Sequence, residues 1–241
     1  MGVRAAQPRP GAVVTAALRA VTFNARHGVG VDGLLDLDRT AAVLRALQPD
    51  AVGLQEVDAG AARSGGIDQA RWLARALGMQ VAAAPARGRR PHERVALLSP
   101  HPLADASTVW FWSGQPRGEP RAALVTDLAT PAARVRCVVA HLSTRRWERA
   151  RERAALAAMV EGFSGPVLVF VDANSTRLGP LRWSAGLRAA PGRAPATFPA
   201  QRPRRPFDWI LTRAPARHLG RASAVPCQAS DHLPLLALVG C

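Results

Sequence analysis

Residues 166–175 read PVLVFVDANS, a short apolar run of strand character that ends abruptly on Asp172 and Asn174. The same design recurs along the chain. LRAVTF leads to Asn24 within TFNARHG, DAVGL to Gln55 and Glu56 within VGLQEVD, and RVRCVVA to His141 within VVAHLS. Two more polar segments follow, Asp208 in FDWILT and Ser230-Asp231-His232 near the C-terminus. Carboxylates, amides and imidazoles placed just past strand ends converge at one edge of a sheet, where a rigid scaffold positions a site. One acid at a strand end means little. Six such segments in one order point to a metal-dependent hydrolytic site.

The chain has 241 residues, 48% of them hydrophobic and only 20% charged, which suits one domain with a sizeable core and excludes a disordered chain. Residues 1–17 read as a loose leader and residues 18–241 as a single domain. After a strand at about 18–24, Leu37, Ala41, Leu44 and Leu47 mark a helical face that Pro49-Asp50 ends. A second helix is expected from Ile67 to Leu77, stopped by Gly78, a long amphipathic one from Trp147 to Phe163, and another around 179–188. VALLS, ALVTDL, RVRCVVA, FDWIL, ASAVP and LLALV have strand character. Strands mixed with a few helices suggest helices packed outside sheets, but periodicity alone does not choose the topology.

The net charge is +15, and every basic residue is arginine. A field of that sign attracts nucleic acid, anionic headgroups or phosphorylated small molecules. A GC-rich coding bias accounts for the same composition, since lysine and tyrosine are absent and Ala, Gly and Pro abound. Clustering favours function, and it is partial: Arg87, Arg89, Arg90 and Arg94; Arg145, Arg146, Arg149, Arg151 and Arg153; Arg202, Arg204 and Arg205. Cys137, Cys227 and Cys241 lack metal spacing and leave one over, so a disulfide framework is not expected, and Cys137 reads as core. Thr15 and Arg19 interrupt the apolar stretch that a signal peptide needs, and no run is long enough to span a membrane. A cytoplasmic protein is the expectation, with export left open.

The ordered set LQE, VAHL, VDAN, FDWI and SDHLP resembles the endonuclease/exonuclease/phosphatase superfamily, from about Leu18 to about Val239. TFNARHGVG and ARSGGIDQARWLA resemble its bacterial members further. The resemblance implies an α/β (α+β), DNase I-like fold: a four-layer α/β/β/α sandwich of two mixed sheets with the site at one end. It also implies a phosphodiester substrate and a Mg²⁺ cofactor, with Mn²⁺ as a substitute. A hard cation takes one or two carboxylates plus substrate oxygens and water.

Residue by residue, the resemblance makes Glu56 the first metal ligand, with Asn24 and Asp231 beside it. Asp172 would orient and deprotonate the attacking water, and Asn174 would donate to a phosphate oxygen. Two positions apart on an extended segment, these side chains point the same way. The family's glycine and phenylalanine in this motif are replaced by Val171 and Ala173, which bears on the local backbone and packing. His232 resembles the histidine that contacts phosphate or transfers a proton, with Asp208 as its carboxylate partner. His141 resembles the second histidine. Arg121 resembles a substrate-binding arginine near the site, and Thr197-Phe198-Pro199 a segment that flanks the substrate. The tyrosine that many nuclease relatives carry before VALLS is absent; His92, Glu93 and Arg94 stand there. His27, His101 and His218 match no part and are expected to face solvent.

The leading reading is a phosphodiesterase of nuclease type, by direct water attack. A phospholipid-headgroup or small-molecule phosphodiesterase or phosphatase is the alternative, and a retired phosphate-binding protein a third. Trp110, Phe111 and Trp112 form an apolar cluster suited to base stacking, to a lipid-facing lip or to core.

Overall fold

The structure is a computed structural model that describes residues 17–111, 120–177 and 186–241. The leader apart from Ala17, Trp112 and most of the helix expected around 179–188 lie outside the described residues. The strands run β1 Ala17–Asn24, β2 Ala51–Asp58, β3 Gln80–Arg87, β4 Arg90–Ser99, β5 Leu103–Phe111, β6 Arg121–Ala129 and β7 Arg134–His141, followed by β8 Val167–Asp172, β9 Arg188–Ala189, β10 Asp208–Arg213, β11 Arg217–His218, β12 Ser223–Ala224 and β13 Leu235–Gly240. Among the described residues three α-helices accompany them: α1 Leu37–Leu47, α2 Gln69–Leu77 and α3 Arg146–Glu161. Asp36 and Asp68 begin the first two by accepting the backbone N–H of Arg39 and Arg71. Gly78, in the left-handed region at φ +68°, ends α2, where a side chain would be strained. No helix among the described residues is long and apolar enough to cross a membrane.

Two separate sheets were the expectation. The hydrogen-bonded path instead runs through the strands in the order β11-β13-β1-β2-β4-β3-β6-β7-β8-β10-β9, with β12 on β13 and β5 on β6. Its two halves meet at the single pair Arg87–Arg121, between β3 and β6. Side-chain alternation assigns the long central strands to two apolar clusters at once. Cys137 and Val139 of β7 and Leu168 and Phe170 of β8 share one cluster with Leu18, Ala20, Ala51 and Leu97 of the other half. The intervening residues turn outward. Phe23, Val52 and Leu54 pack under Leu44 of α1 and Leu73 of α2, while Val138, Val169 and Val171 pack under Leu156 and Val160 of α3.

At Gly53 the halves approach closely: a Cβ there would lie 2.3 Å from Cβ of Phe170, on a strand that is not its sheet neighbour. Only glycine fits. The expected core role of Cys137 holds, since it is fully buried.

Two strand pairs are parallel, β1–β2 and β7–β8, and each is joined through a helix, α1 or α3. Parallel strands end at the same edge of a sheet, which is where βαβ units place their binding groups. Asn24 pairs in register with Gln55, and His141 with Asp172. Asp208 opens the antiparallel strand β10 directly opposite Asp172. The topology thus delivers the polar segments to one edge.

Candidate active site

The first βαβ unit supplies Asn24 and Glu56. Between Leu54 and Val57 the pairing of β2 with β4 slips, and Glu56 takes a left-handed conformation at φ +52°. A bulge of this kind re-aims a side chain at a strand end. Asn24 links the two units. Its Nδ2 donates to Glu56 Oε1 at 3.2 Å and to Asp172 Oδ2 at 3.0 Å, and its Oδ1 accepts the N–H of Arg26. Around Glu56 stand two imidazole nitrogens, His27 Nδ1 at 3.6 Å from Oε2 and His141 Nδ1 at 3.9 Å from Oε1. Both are buried and make no hydrogen bond among the described residues.

His27 is a correction to the expectation from sequence. It does not face solvent but lies beside Glu56, in a left-handed turn at φ +46°. Gln69 holds that turn: its Nε2 donates to the His27 carbonyl at 2.7 Å and its Oε1 accepts the Asp58 N–H at 2.9 Å. Asp58, buried, takes both arms of Arg63 at 2.8 Å each and the hydroxyl of Ser64 at 3.0 Å. These are the groups within ARSGGIDQARWLA that fix the end of β2. Sequence reading found the motif but not its purpose, because a left-handed residue and a bulge leave no periodic trace. His101 and His218 are also half-buried rather than exposed.

The second βαβ unit supplies His141 and Asp172, both buried. Val171 and Ala173, which replace the family's usual residues, pack into the cluster under α3, so the apolar interior accommodates the departure. Asp172 and Asn174 converge, though not by strand alternation. Asn174 sits in a turn at φ +44°, with its backbone N–H donating to Asp172 Oδ1 at 2.9 Å. Its amide donates to the Leu142 carbonyl at 2.9 Å and lies 3.0 Å from His141 Nε2. Both amide protons are thereby engaged within the protein. Asn174 holds the His141 ring in this way.

Asp208 Oδ2 lies 2.8 Å from His232 Nδ1, so the expected pair is formed. The Nε2 edge of His232 faces Asp172, 3.9 Å from its Oδ2, and His141 Nε2 approaches the same oxygen at 3.5 Å. Phe198 packs on the His232 ring with centroids 4.8 Å apart, so the Thr197–Pro199 loop walls this side. Asp231 is directed to Arg26, 3.7 Å from its Nε, and accepts from Ser230 Oγ. Arg121, buried, donates to the His141 carbonyl at 2.8 Å.

Burial and charge then divide the titrating groups. Burial and the neighbouring Asp208 raise Asp172 to about 7, against the opposing pull of His232 and Asn24. Burial disfavours the charged ring of His232, but Asp208, by charge and hydrogen bond, overrides it and pushes His232 up to about 10. His141 is held well below the usual histidine range by burial and by Arg121 and Arg87, which leaves it neutral. With Asn174 donating to Nε2, the proton of neutral His141 sits on Nδ1.

The donor set fits a hard divalent cation. The carboxylates of Glu56 and Asp172 flank one amide, that of Asn24, and offer the oxygen ligands that a hard cation takes. Among the described residues Asp172, Asp208 and His232 form a compact group, with ligand atoms within 4.8 Å of one another. Its Asp208–His232 hydrogen bond marks it first as a proton network.

A match to the model of the endonuclease/exonuclease/phosphatase family spans residues 21–232, and the chain belongs to that family. Among solved structures it is similar to an endonuclease/exonuclease/phosphatase of Beutenbergia cavernae (TM-score 0.77, 21% identity, 93% of this chain and 71% of that one). It is similar also to a mannosyl-6-phosphatase of Bacteroides thetaiotaomicron (TM-score 0.72, 13% identity, 92% of this chain and 99% of that one). A third neighbour is a truncated TDP2 of Caenorhabditis elegans (TM-score 0.65, 18% identity, 94% and 98%). None of the curated proteins matches it. At these identities the likeness is one of fold.

Proposed function

We propose that this protein is a divalent-metal-dependent phosphodiesterase that hydrolyses its substrate by direct attack of water. The observation that carries the reading is the placement of one carboxylate, Asp172, against both histidines and Asn24, with Asp208 behind His232. A phosphate diester resists attack because its oxygens are negative, so catalysis needs charge neutralisation, an activated water and a stabilised leaving oxygen. Mg²⁺, or Mn²⁺ in its place, would be held by Glu56 with Asn24 and Asp231 nearby, and would supply charge neutralisation at the phosphate.

The protein's own residues supply the rest. Asp172, poised near neutrality, suits a general base that orients water and takes its proton. Asp208 holds the tautomer and charge of His232, whose Nε2–H is then available to a phosphate oxygen. Asn174 positions neutral His141, and Arg121 holds the main chain beneath it. The same reading takes the two halves of the strand path as the inner layers of an α/β/β/α sandwich. It is supported by the single cluster between the halves and the helix-covered clusters outside them.

The basic surface favours a nucleic-acid substrate within this class. A monoester or a small phosphodiester is the second reading, favoured by the fold likeness to a mannosyl-6-phosphatase. Hydrolysis of bis-(p-nitrophenyl) phosphate against p-nitrophenyl phosphate, with Mg²⁺, Mn²⁺ and EDTA, tests the class. The expected result is metal-dependent cleavage of the diester in preference to the monoester; no turnover with either metal rejects it. Plasmid DNA, abasic oligonucleotide, RNA and lysophospholipid then separate the substrates.

A further inference from the structure

Two arginine runs that are far apart in the chain come together beside the site. Arg87, Arg89 and Arg90 lie at the turn between β3 and β4, Arg121 opens β6, and Arg145 follows β7 after Ser143 and Thr144. With Glu148 they line a cleft of about 380 Å³. Five guanidinium groups and one carboxylate, Glu148, line it, and the buried Glu152 accepts the Ser143 N–H at 2.7 Å. Glu148 already accepts from the Ser143 hydroxyl and lies 3.4 Å from Arg145, and Glu93, buried behind the cleft, pairs with Arg87 at 2.7 Å. Arg89 and Arg90 are exposed. A concave surface with that surplus of positive charge focuses an anionic field, and planar guanidinium forks match phosphate oxygens in pairs.

The cleft is joined to the catalytic edge. Arg121 donates from one wall to the His141 carbonyl at 2.8 Å, and Ser143 and Thr144 directly follow the His141–Leu142 segment that Asn174 grips. Arg121 and Arg87 both act on His141 through their charge. The cleft therefore adjoins the His141 side of the site. The third arginine run, Arg202, Arg204 and Arg205, lies on the exposed loop that carries Phe198 and does not line this cleft.

We propose that the cleft is a subsite for a second phosphate of the substrate, so that the protein selects phosphoesters carrying another phosphate beside the one cleaved. This rests on the phosphoesterase reading. The shared chemistry is a phosphate anion, whether of the next nucleotide in a strand or of a free bisphosphate.

Two chromogenic substrates that differ only in that group test it: thymidine 5′-(p-nitrophenyl phosphate) and the same compound bearing a 3′-phosphate. Wild-type kcat/KM is expected to be higher for the bisphosphate by about tenfold, the order of one charge-assisted pair. The Arg89→Gln/Arg90→Gln variant should bring the ratio to near one and leave bis-(p-nitrophenyl) phosphate hydrolysis unchanged. A ratio that is near one in wild type, or unaltered in the variant, overturns the subsite. Calorimetry with pyrophosphate on EDTA-treated protein decides the matter without turnover. Binding to wild type that is lost in the variant upholds the cleft even if no ester is cleaved, in which case only the phosphoesterase reading fails; binding equal in both, or absent from wild type, overturns it. Competition by single-stranded dT12 and by thymidine 3′,5′-bisphosphate then assigns the source: a large advantage for dT12 indicates a strand, equal affinity a small bisphosphate.

Discussion

The two βαβ units share a topology and treat their carboxylates in opposite ways. β1–α1–β2 ends on Glu56, whose side chain is 22% exposed, strained at a bulge and flanked by imidazole nitrogens that make no hydrogen bond among the described residues. β7–α3–β8 ends on Asp172, whose side chain is 1% exposed and takes hydrogen bonds from Asn24 and from the backbone of Asn174. A carboxylate that reaches solvent leaves lone pairs for an outside cation. A buried one beside a second acid is pushed toward protonation and becomes a proton-transfer group. On the proposed reading, the same strand-end position thus serves two chemistries, and burial makes the choice.

The contrast breaks most directly at Glu56. Glu56→Gln keeps the shape and removes the charge that holds a hard cation. Turnover is expected to fall by a factor on the order of a thousand and Mg²⁺ affinity in calorimetry to fall with it, while circular dichroism stays unchanged. Wild-type activity at limiting Mg²⁺ would mean that the open unit is not the cation side.

On the buried side, Asp208 and His232 should act as one unit. Removing either is expected to cost on the order of a hundredfold or more in turnover, and Asp208→Asn/His232→Ala little beyond the worse single change. Losses that multiply in the double variant would show two independent residues and dissolve the network.

The buried side also carries a pH signature that can be read in metal-free protein. His232 is raised in the folded state from 6.5 to about 10. Its contribution to stability is therefore fully present below about 6.5 and is lost as pH rises through about 10. Asp208→Asn removes the cause of the rise. The Tm advantage of wild type over this variant should be largest near pH 6 and shrink steadily toward pH 10; an advantage that grows over that range contradicts the charge assignment.

The smallest effect on chemistry concerns how the units are pressed together. Gly53→Ala places a Cβ against Phe170, and overpacking of this kind costs about 1–3 kcal/mol. Denaturant melts should register that loss while the folded fraction turns over normally. An unchanged midpoint would show that the halves separate more freely than their shared core implies.

Much of this arrangement was legible in the chain, because strand runs ending in polar residues announce an edge where parallel strands stop together. Asn24, Glu56, His141, Asp172, Asp208 and His232 all converge there. Three features were not legible. His27 reaches Glu56 only through a left-handed turn, Asn174 turns its amide inward through another, and the arginine runs meet only because β6 brings Arg121 beside Arg87. Sequence by itself determined which groups stand at strand ends, since apolar alternation and its interruption are local properties of the chain. Tertiary structure alone decided which carboxylate is open and which is buried, because exposure and charge environment depend on partners contributed by distant strands.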